Sequence, residues 1–430
     1  MGKRKAKNNN ATKNKEIIVK KSCLKNRETP KVEPDEESTG QAVIEILSDD
    51  NLAKIFSYLP IKKRLDIEKV SLRWRDVSQQ SWHDIKELDF SKSIDNELLR
   101  SLKKQKDIEK ILERCGFYLT YINLSKLCNS SILQIIRQHC NNLTRIELDL
   151  CKYSDTHFIN AFTNMDKLKY IKIKNTYGQY LFRCLTSLSD GIEEIHLGML
   201  PSRNCPGYLY NPLPKNSLTR FNSLRCLSIN SHELDQNEIK IISQKQTLIN
   251  LNLAFCKLNK EYICLISDLV NLEHLDLRGV DAVYDVFLRS ITWQCKSLKY
   301  LDISLCTSVT DIGLNELSTL NCLEELLVND MRRNVTDYPF EHFRQLKKLD
   351  CRNCKYIGDA GIIELIKNSI NLEELNITRT SVTSETLVSA SSSTQMRNNN
   401  VVLNIFVDSW VLDDFDPNEN SSQYLRIKKI

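Results

Sequence analysis

A six-residue phrase with apolar residues at its first, fourth and sixth places recurs along most of the chain. It starts at Leu119, Leu143, Leu168, Ile192, Leu224, Leu248, Leu272, Leu298, Leu323, Leu346 and Leu372, at intervals of 24, 25, 24, 32, 24, 24, 26, 25, 23 and 26 residues. Places four and six differ by two, so both side chains fall on one face of a short strand. Between phrases lie helical patterns such as "TDIGLNELSTL" and "DAGIIELIKNS", with Ile362, Ile363, Leu365 and Ile366 as an inward stripe and Asp311 and Asp359 as expected N-caps. Each unit therefore reads strand, turn, helix. Three buried strand residues contribute about 6 kcal/mol, while ordering some 25 residues costs several times more, so no unit stands alone. Stacked neighbours share one parallel sheet with helices outside, an α/β solenoid.

Ahead of the array the pattern changes. In "LSDDNLAKIFSYLPIKKRLDIEKVSLRWRDVS", Leu52, Ile55, Phe56 and Leu59 fall at i, i+3, i+4 and i+7 of an amphipathic helix that Pro60 ends. Leu65 and Ile67, then Val70, Trp74 and Val77, continue helical stripes. About thirty residues cannot enclose this much apolar side chain, so the segment meets either the first repeat, as a cap, or another protein.

Composition narrows the class. Hydrophobic residues make up 41% of the 430, and no run approaches the length of a membrane span. Fifteen scattered cysteines, an odd number, suit reduced thiols in an intracellular protein better than a disulfide framework. The net charge of +5 conceals a basic block over residues 1–27 followed by an acidic one over 28–50. Residues 1–40 read as a disordered tail in which Lys3, Arg4 and Lys5 suggest either a solvated leader or an import signal, and nucleic-acid binding is the weakest of the partner readings. The seven histidines are dispersed, no phosphate loop occurs, and Cys351-x-x-Cys354 lacks a second pair at zinc spacing. No catalytic residue, metal ligand or cofactor site is expected. The thiols of Cys295, Cys306, Cys351 and Cys354 read as structural.

Residues that alternate with the inward pair point to the open face of the sheet. Tyr121, Arg145, Tyr170, Lys172, Lys174, His196, His274, Arg278 and Tyr300 are the candidate substrate-binding residues, since Tyr and Arg are favoured in interfaces. Asp276, Asp302 and Asp350 share that alternation. The long interval after Ile192 falls in "GMLPSRNCPGYLYNPLPKN", which reads either as an ordinary tolerated insertion or as a protruding contact through Tyr208 and Tyr210.

With a Cys three places after the phrase at Cys151, Cys256, Cys306 and Cys354, and others at Cys115, Cys140 and Cys295, the array resembles the cysteine-containing subtype of the leucine-rich repeat. The resemblance implies a curved horseshoe of about 12 repeats over 85–408, its outer units at Ile85 and Val402, with 409–430 as a C-terminal tail. Residues 41–84 resemble an F-box, through the stripe just described and the closing Val70, Trp74 and Arg75, although Leu47-Ser48 replaces the usual Leu-Pro and Ser71 follows the Val. This implies docking to a Skp-family adaptor, and through it to a cullin/RING ubiquitin ligase, by Leu47, Leu52, Ile55, Phe56, Leu59, Leu65, Val70 and Trp74. The repeats would then hold an unknown protein substrate for ubiquitination and degradation, in the cytoplasm or nucleus, with no catalysis by this chain. A ligase-independent interaction scaffold is the alternative.

Overall fold

The structure is a computed structural model that describes residues 43–91, 104–124, 128–174, 181–198, 211–331, 334–416 and 422–430. The basic tail and most of the insertion, including Tyr208 and Tyr210, lie outside the described residues. Two compact units are present, Met1–Ser48 and Asp49–Ile430. In the first, Val43–Ile46 forms a 3-10 turn whose Ile44 carbonyl accepts from the Leu47 amide.

The second unit opens with three helices, α1 (Asp49–Ser57), α2 (Ile61–Ile67) and α3 (Leu72–Gln80), and continues as the solenoid. Pro60 sits at the start of α2, where its missing amide costs nothing. Ser71 caps α3 by accepting from the Trp74 amide.

Fourteen strands form one parallel sheet, each paired with the strand of the next repeat and in register across every junction. Each of the eleven inner phrases opens its strand at place three, and the outer phrases supply Glu87–Asp89 (β1) and Leu403–Val407. Leu119, Ile122 and Leu124 show the rule: all three are buried, as are their counterparts along the array, forming one continuous core. The segment after 408, read as a tail that either packs back onto the array or wanders, packs back: Leu425–Lys429 adds the last strand, with Leu425 and Ile427 packed on the core.

Asp or Asn at the fifth place ends five of the second-half strands, Leu327 standing there in the sixth. Asn252, Asp276, Asp302, Asp350 and Asn376 each accept from the amide two residues on. This is an Asx turn, and the residue after it takes a positive φ at Phe255, Gly279, Leu305, Asn353 and Arg379. Asp276, Asp302 and Asp350 are accordingly buried rather than solvated. Strands of the first half carry Glu147, Lys172 and His196 at this place and run longer, as in β3 (Arg145–Asp149), β4 (Tyr170–Lys174) and β5 (Glu194–Gly198).

Helices cover the outer side in some repeats and 3-10 turns in others, as at Ile263–Asp268 and Tyr338–His342. The expected caps shift by one residue. Thr310 and Gly358 occupy the N-caps of Asp311–Leu317 and Asp359–Asn368, while the aspartates bond forward to the next repeat. Asp285 accepts from the Thr310 amide and hydroxyl at 2.9 and 2.7 Å. Asp311 does the same to Thr336 at 2.8 and 2.6 Å, and Asp359 to Thr383 at 2.9 and 2.8 Å. Gly361 allows this close approach, since a Cβ there would lie 2.4 Å from the Asp337 carbonyl oxygen.

Candidate docking helices and ligand face

The eight residues expected to face an adaptor do not share one environment. Leu52 and Phe56 are buried inside the helical module, where the Phe56 ring lies 5.0 Å from Trp74, which is itself half-buried, as are Leu59 and Leu65. Ile55 and Val70, by contrast, are 43% and 62% exposed. Two further exposed apolar residues escaped the sequence reading, Tyr58 in the turn after α1 and Leu72 at the start of α3. Position i+3 from Ile55 was the signal available for Tyr58. Leu47 belongs to the first unit and is half-buried.

Buried polar contacts hold this module together and fasten it to the repeats. Arg64, 3% exposed, binds both oxygens of Asp84 at 2.7 and 3.0 Å and donates to the carbonyls of Ser57, Leu59 and Ser81. Its guanidinium holds the Asp84 carboxyl below the usual carboxylate range. Arg114, on the first array helix α4 (Gln105–Cys115), reaches Glu68 at the end of α2 through contacts of 3.1 to 3.3 Å. Trp82 joins the array core with no exposed surface. The helices are thus docked on their inner side while Ile55, Tyr58, Val70 and Leu72 stay uncovered.

On the open face of the sheet, register brings five of the nine candidates into one ladder. Tyr121, Arg145 and Tyr170 are consecutive partners across β2 (Tyr121–Leu124), β3 and β4, and Lys172 pairs with His196 of β5. The Arg145 guanidinium lies 3.9 Å from the centre of the Tyr170 ring and 5.5 Å from that of Tyr121, and pairs with Glu147. The His196 ring follows at 5.1 Å from Tyr170. Burial pushes the Tyr170 hydroxyl up to about 12 and the His196 imidazole below its ordinary value, so both are neutral at pH 7. Lys174 is exposed beside this ladder.

His274, Arg278 and Tyr300 form a separate group in the second half. The His274 and Tyr300 rings are 5.9 Å apart, and Arg278 is engaged by Asp276 at 3.2 Å and by the buried Asp302 at 3.4 Å. Arg278 is thereby occupied in neutralising two strand-ending carboxylates. The thiols behave as expected at Cys295, Cys306, Cys351 and Cys354, all buried, but Cys151 is exposed.

Two neighbours of the ladder were missed by the sequence. Glu194 and Cys226 pair across β5 and β6 (Cys226–Asn230), with Asn250 next in register. The His196 Nε2 is 3.5 Å from a Glu194 carboxylate oxygen and 3.7 Å from the Cys226 sulfur. Burial raises the Cys226 thiol to about 11.

The fold is that of a leucine-rich-repeat solenoid, preceded by helices that fit an F-box, and comparison with known proteins agrees with both parts. An internalin from Listeria monocytogenes matches 91% of this chain and 94% of its own, with a TM-score of 0.50 and 17% identity. The Rad7 and Elc1 complex of yeast gives a TM-score of 0.54 at 18% identity, over 78% of this chain and 89% of the other. In sequence, 107 residues are 31% identical to the F-box protein SKIP1 of Arabidopsis thaliana, covering 25% of this chain and 34% of that protein. A Caenorhabditis elegans protein described as "Putative RNA-binding protein EEED8.10" is 23% identical over 354 residues, 73% of this chain and 47% of the relative. The chain thus spans about half the length of the nematode relative and a third of the plant one. No protein-family profile matches it. Among the described residues, no helix is long and apolar enough to cross a membrane.

Proposed function

We propose that this chain is the substrate-recognition subunit of an SCF-type E3 ubiquitin ligase. It docks a Skp-family adaptor through α1 to α3 and holds a protein substrate on the open face of the sheet. The observation that carries this reading is that the helical module is fastened to the repeats by Trp82 and Arg114 while the apolar side chains of Ile55, Tyr58, Val70 and Leu72 are left uncovered. Exposed apolar side chains on a small helical module mark a protein interface. The likeness of part of the chain to an F-box protein, and of its fold to a chain crystallised as a two-protein complex, supports the same reading. The chain's contribution is orientation and effective concentration, and no bond chemistry is required of it.

Recovery of a recombinant Skp-family adaptor by the full chain tests the reading. The native chain and a concave-face variant, Tyr170→Ala, are expected to retain the adaptor, and Ile55→Asp with Leu72→Asp to lose it. Equal recovery by the double variant overturns the proposal. A second reading, RNA held on the sheet, is favoured by the Tyr121, Arg145, Tyr170 and His196 ladder beside Lys172 and Lys174, and by the description of the nematode relative. It requires binding that weakens steeply with salt and is lost in Tyr170→Ala.

A further inference from the structure

Glu194, His196 and Cys226 bring a carboxylate, an imidazole and a thiol together on the open face, all three donor atoms within 4.8 Å of one another. Tetrahedral Zn2+ places bound N and O about 3.3 Å apart and bound N and S about 3.6 Å apart, given its usual bond lengths. The observed separations, 3.5 Å for His196 to Glu194 and 3.7 Å for His196 to Cys226, are close to those edges. Asn250 adjoins Cys226 in register, and its side-chain oxygen is buried without a hydrogen-bond partner. The Asn250 side chain is also hydrogen-bonded to the Cys226 thiol, which it favours as the thiolate.

We propose that Glu194, His196 and Cys226 form a binding site for a divalent cation of the Zn2+ class, with Asn250 supporting the Cys226 sulfur. Thiolate plus imidazole selects Zn2+ over Mg2+ or Ca2+, which prefer all-oxygen shells. On binding, the Cys226 S–H bond breaks, its proton passes to solvent, and the sulfur keeps the electron pair that it donates to the metal. Thiolate and Glu194 carboxylate then offset both charges of the ion. Lys172, paired in register with His196, is the opposing cation and limits the affinity, while Glu147 adds a favourable field and the Tyr170 ring walls one side. Three protein ligands on an open face leave a fourth tetrahedral position for water or a donor from a bound partner.

Titration of the full chain with Co2+ tests this, because a cobalt–thiolate bond gives a near-ultraviolet charge-transfer band and tetrahedral cobalt absorbs strongly in the visible. One equivalent and one released proton are expected, with Zn2+ displacing the cobalt. Cys226→Ser should abolish the charge-transfer band. His196→Ala and Glu194→Gln should each weaken binding at least about tenfold, and Cys151→Ser, at an exposed thiol elsewhere, should change nothing. Absence of a saturable band in the native chain, or a band that survives in Cys226→Ser, overturns the proposal. Circular dichroism identifies any variant that fails to fold, in which case the remaining two ligand variants decide. Neither adaptor nor substrate enters the measurement, so its outcome is separate from that of the receptor reading.

Discussion

Arg64 and Asp84 form a two-pronged ion pair, at 2.7 and 3.0 Å, in which the arginine is buried and the aspartate partly open to solvent. The same guanidinium ties the end of α1 to the turn after α3. Asp84→Ala leaves a buried cation with carbonyl partners only and is expected to cost about 2 kcal/mol, measurable as a lower denaturation midpoint. Because the folded carboxyl titrates below its ordinary 3.8, this stabilisation is present at neutral pH and is lost only as pH falls below that value toward the lowered one.

Buried and exposed residues of the docking helices are expected to separate in experiment. Phe56→Ala opens a cavity beside Trp74 and should destabilise by about 3–5 kcal/mol, whatever the partner. Ile55→Asp with Leu72→Asp should shift stability by no more than about 0.5 kcal/mol per site yet abolish adaptor capture. Paired unfolding and pull-down measurements check this, and loss of capture by Phe56→Ala alone would not distinguish docking from unfolding.

Asp311 joins successive repeats through Thr336, so its removal acts between units rather than within one. Asp311→Ala should cost about 2 kcal/mol, since two charge-assisted hydrogen bonds are lost together. Hydrogen exchange should show faster opening on both sides of that junction while distant repeats such as Leu119–Leu148 stay protected, because coupling in solenoids is to nearest neighbours.

His232 is buried, and burial pushes its imidazole down to about 4 from an ordinary 6.5. The unfolded chain therefore gains a proton near pH 6.5 that the folded chain refuses until about pH 4. Stability should fall as pH drops through that window, by about 2 kcal/mol between pH 7 and pH 5 from this residue alone. Urea denaturation at the two pH values checks it, and His232→Leu should flatten the difference.

The solenoid was legible because its determinant is local and repeated. A period of about 25 with inward places four and six located every strand of the long sheet from Glu87–Asp89 to Leu403–Val407. The last strand was not, since Leu425 and Ile427 alternate with charged residues and lack the opening apolar place. Among the open-face candidates, alternation identified Tyr121, Arg145, Tyr170 and His196 correctly as sharing a side. It could not tell that Asp276 and Asp302 turn back onto their own backbone, which depends on the Asx turn. Glu194 and Cys226 escaped because their proximity is a property of strand pairing across 32 residues, not of spacing along one segment. On the docking helices, periodicity found the stripe but not which flank the repeats would cover.

Among the described residues, a packed Trp82 and a forked Arg114 to Glu68 contact join the opening helices to the first coil. Whatever grips α1 therefore inherits the attitude of the sheet, as a handle sets the angle of a blade. In the proposed role, lysines of a captured protein would be chosen by where that fixed lever swings them, and softening the joint should blur the choice of lysine before it loosens the grip.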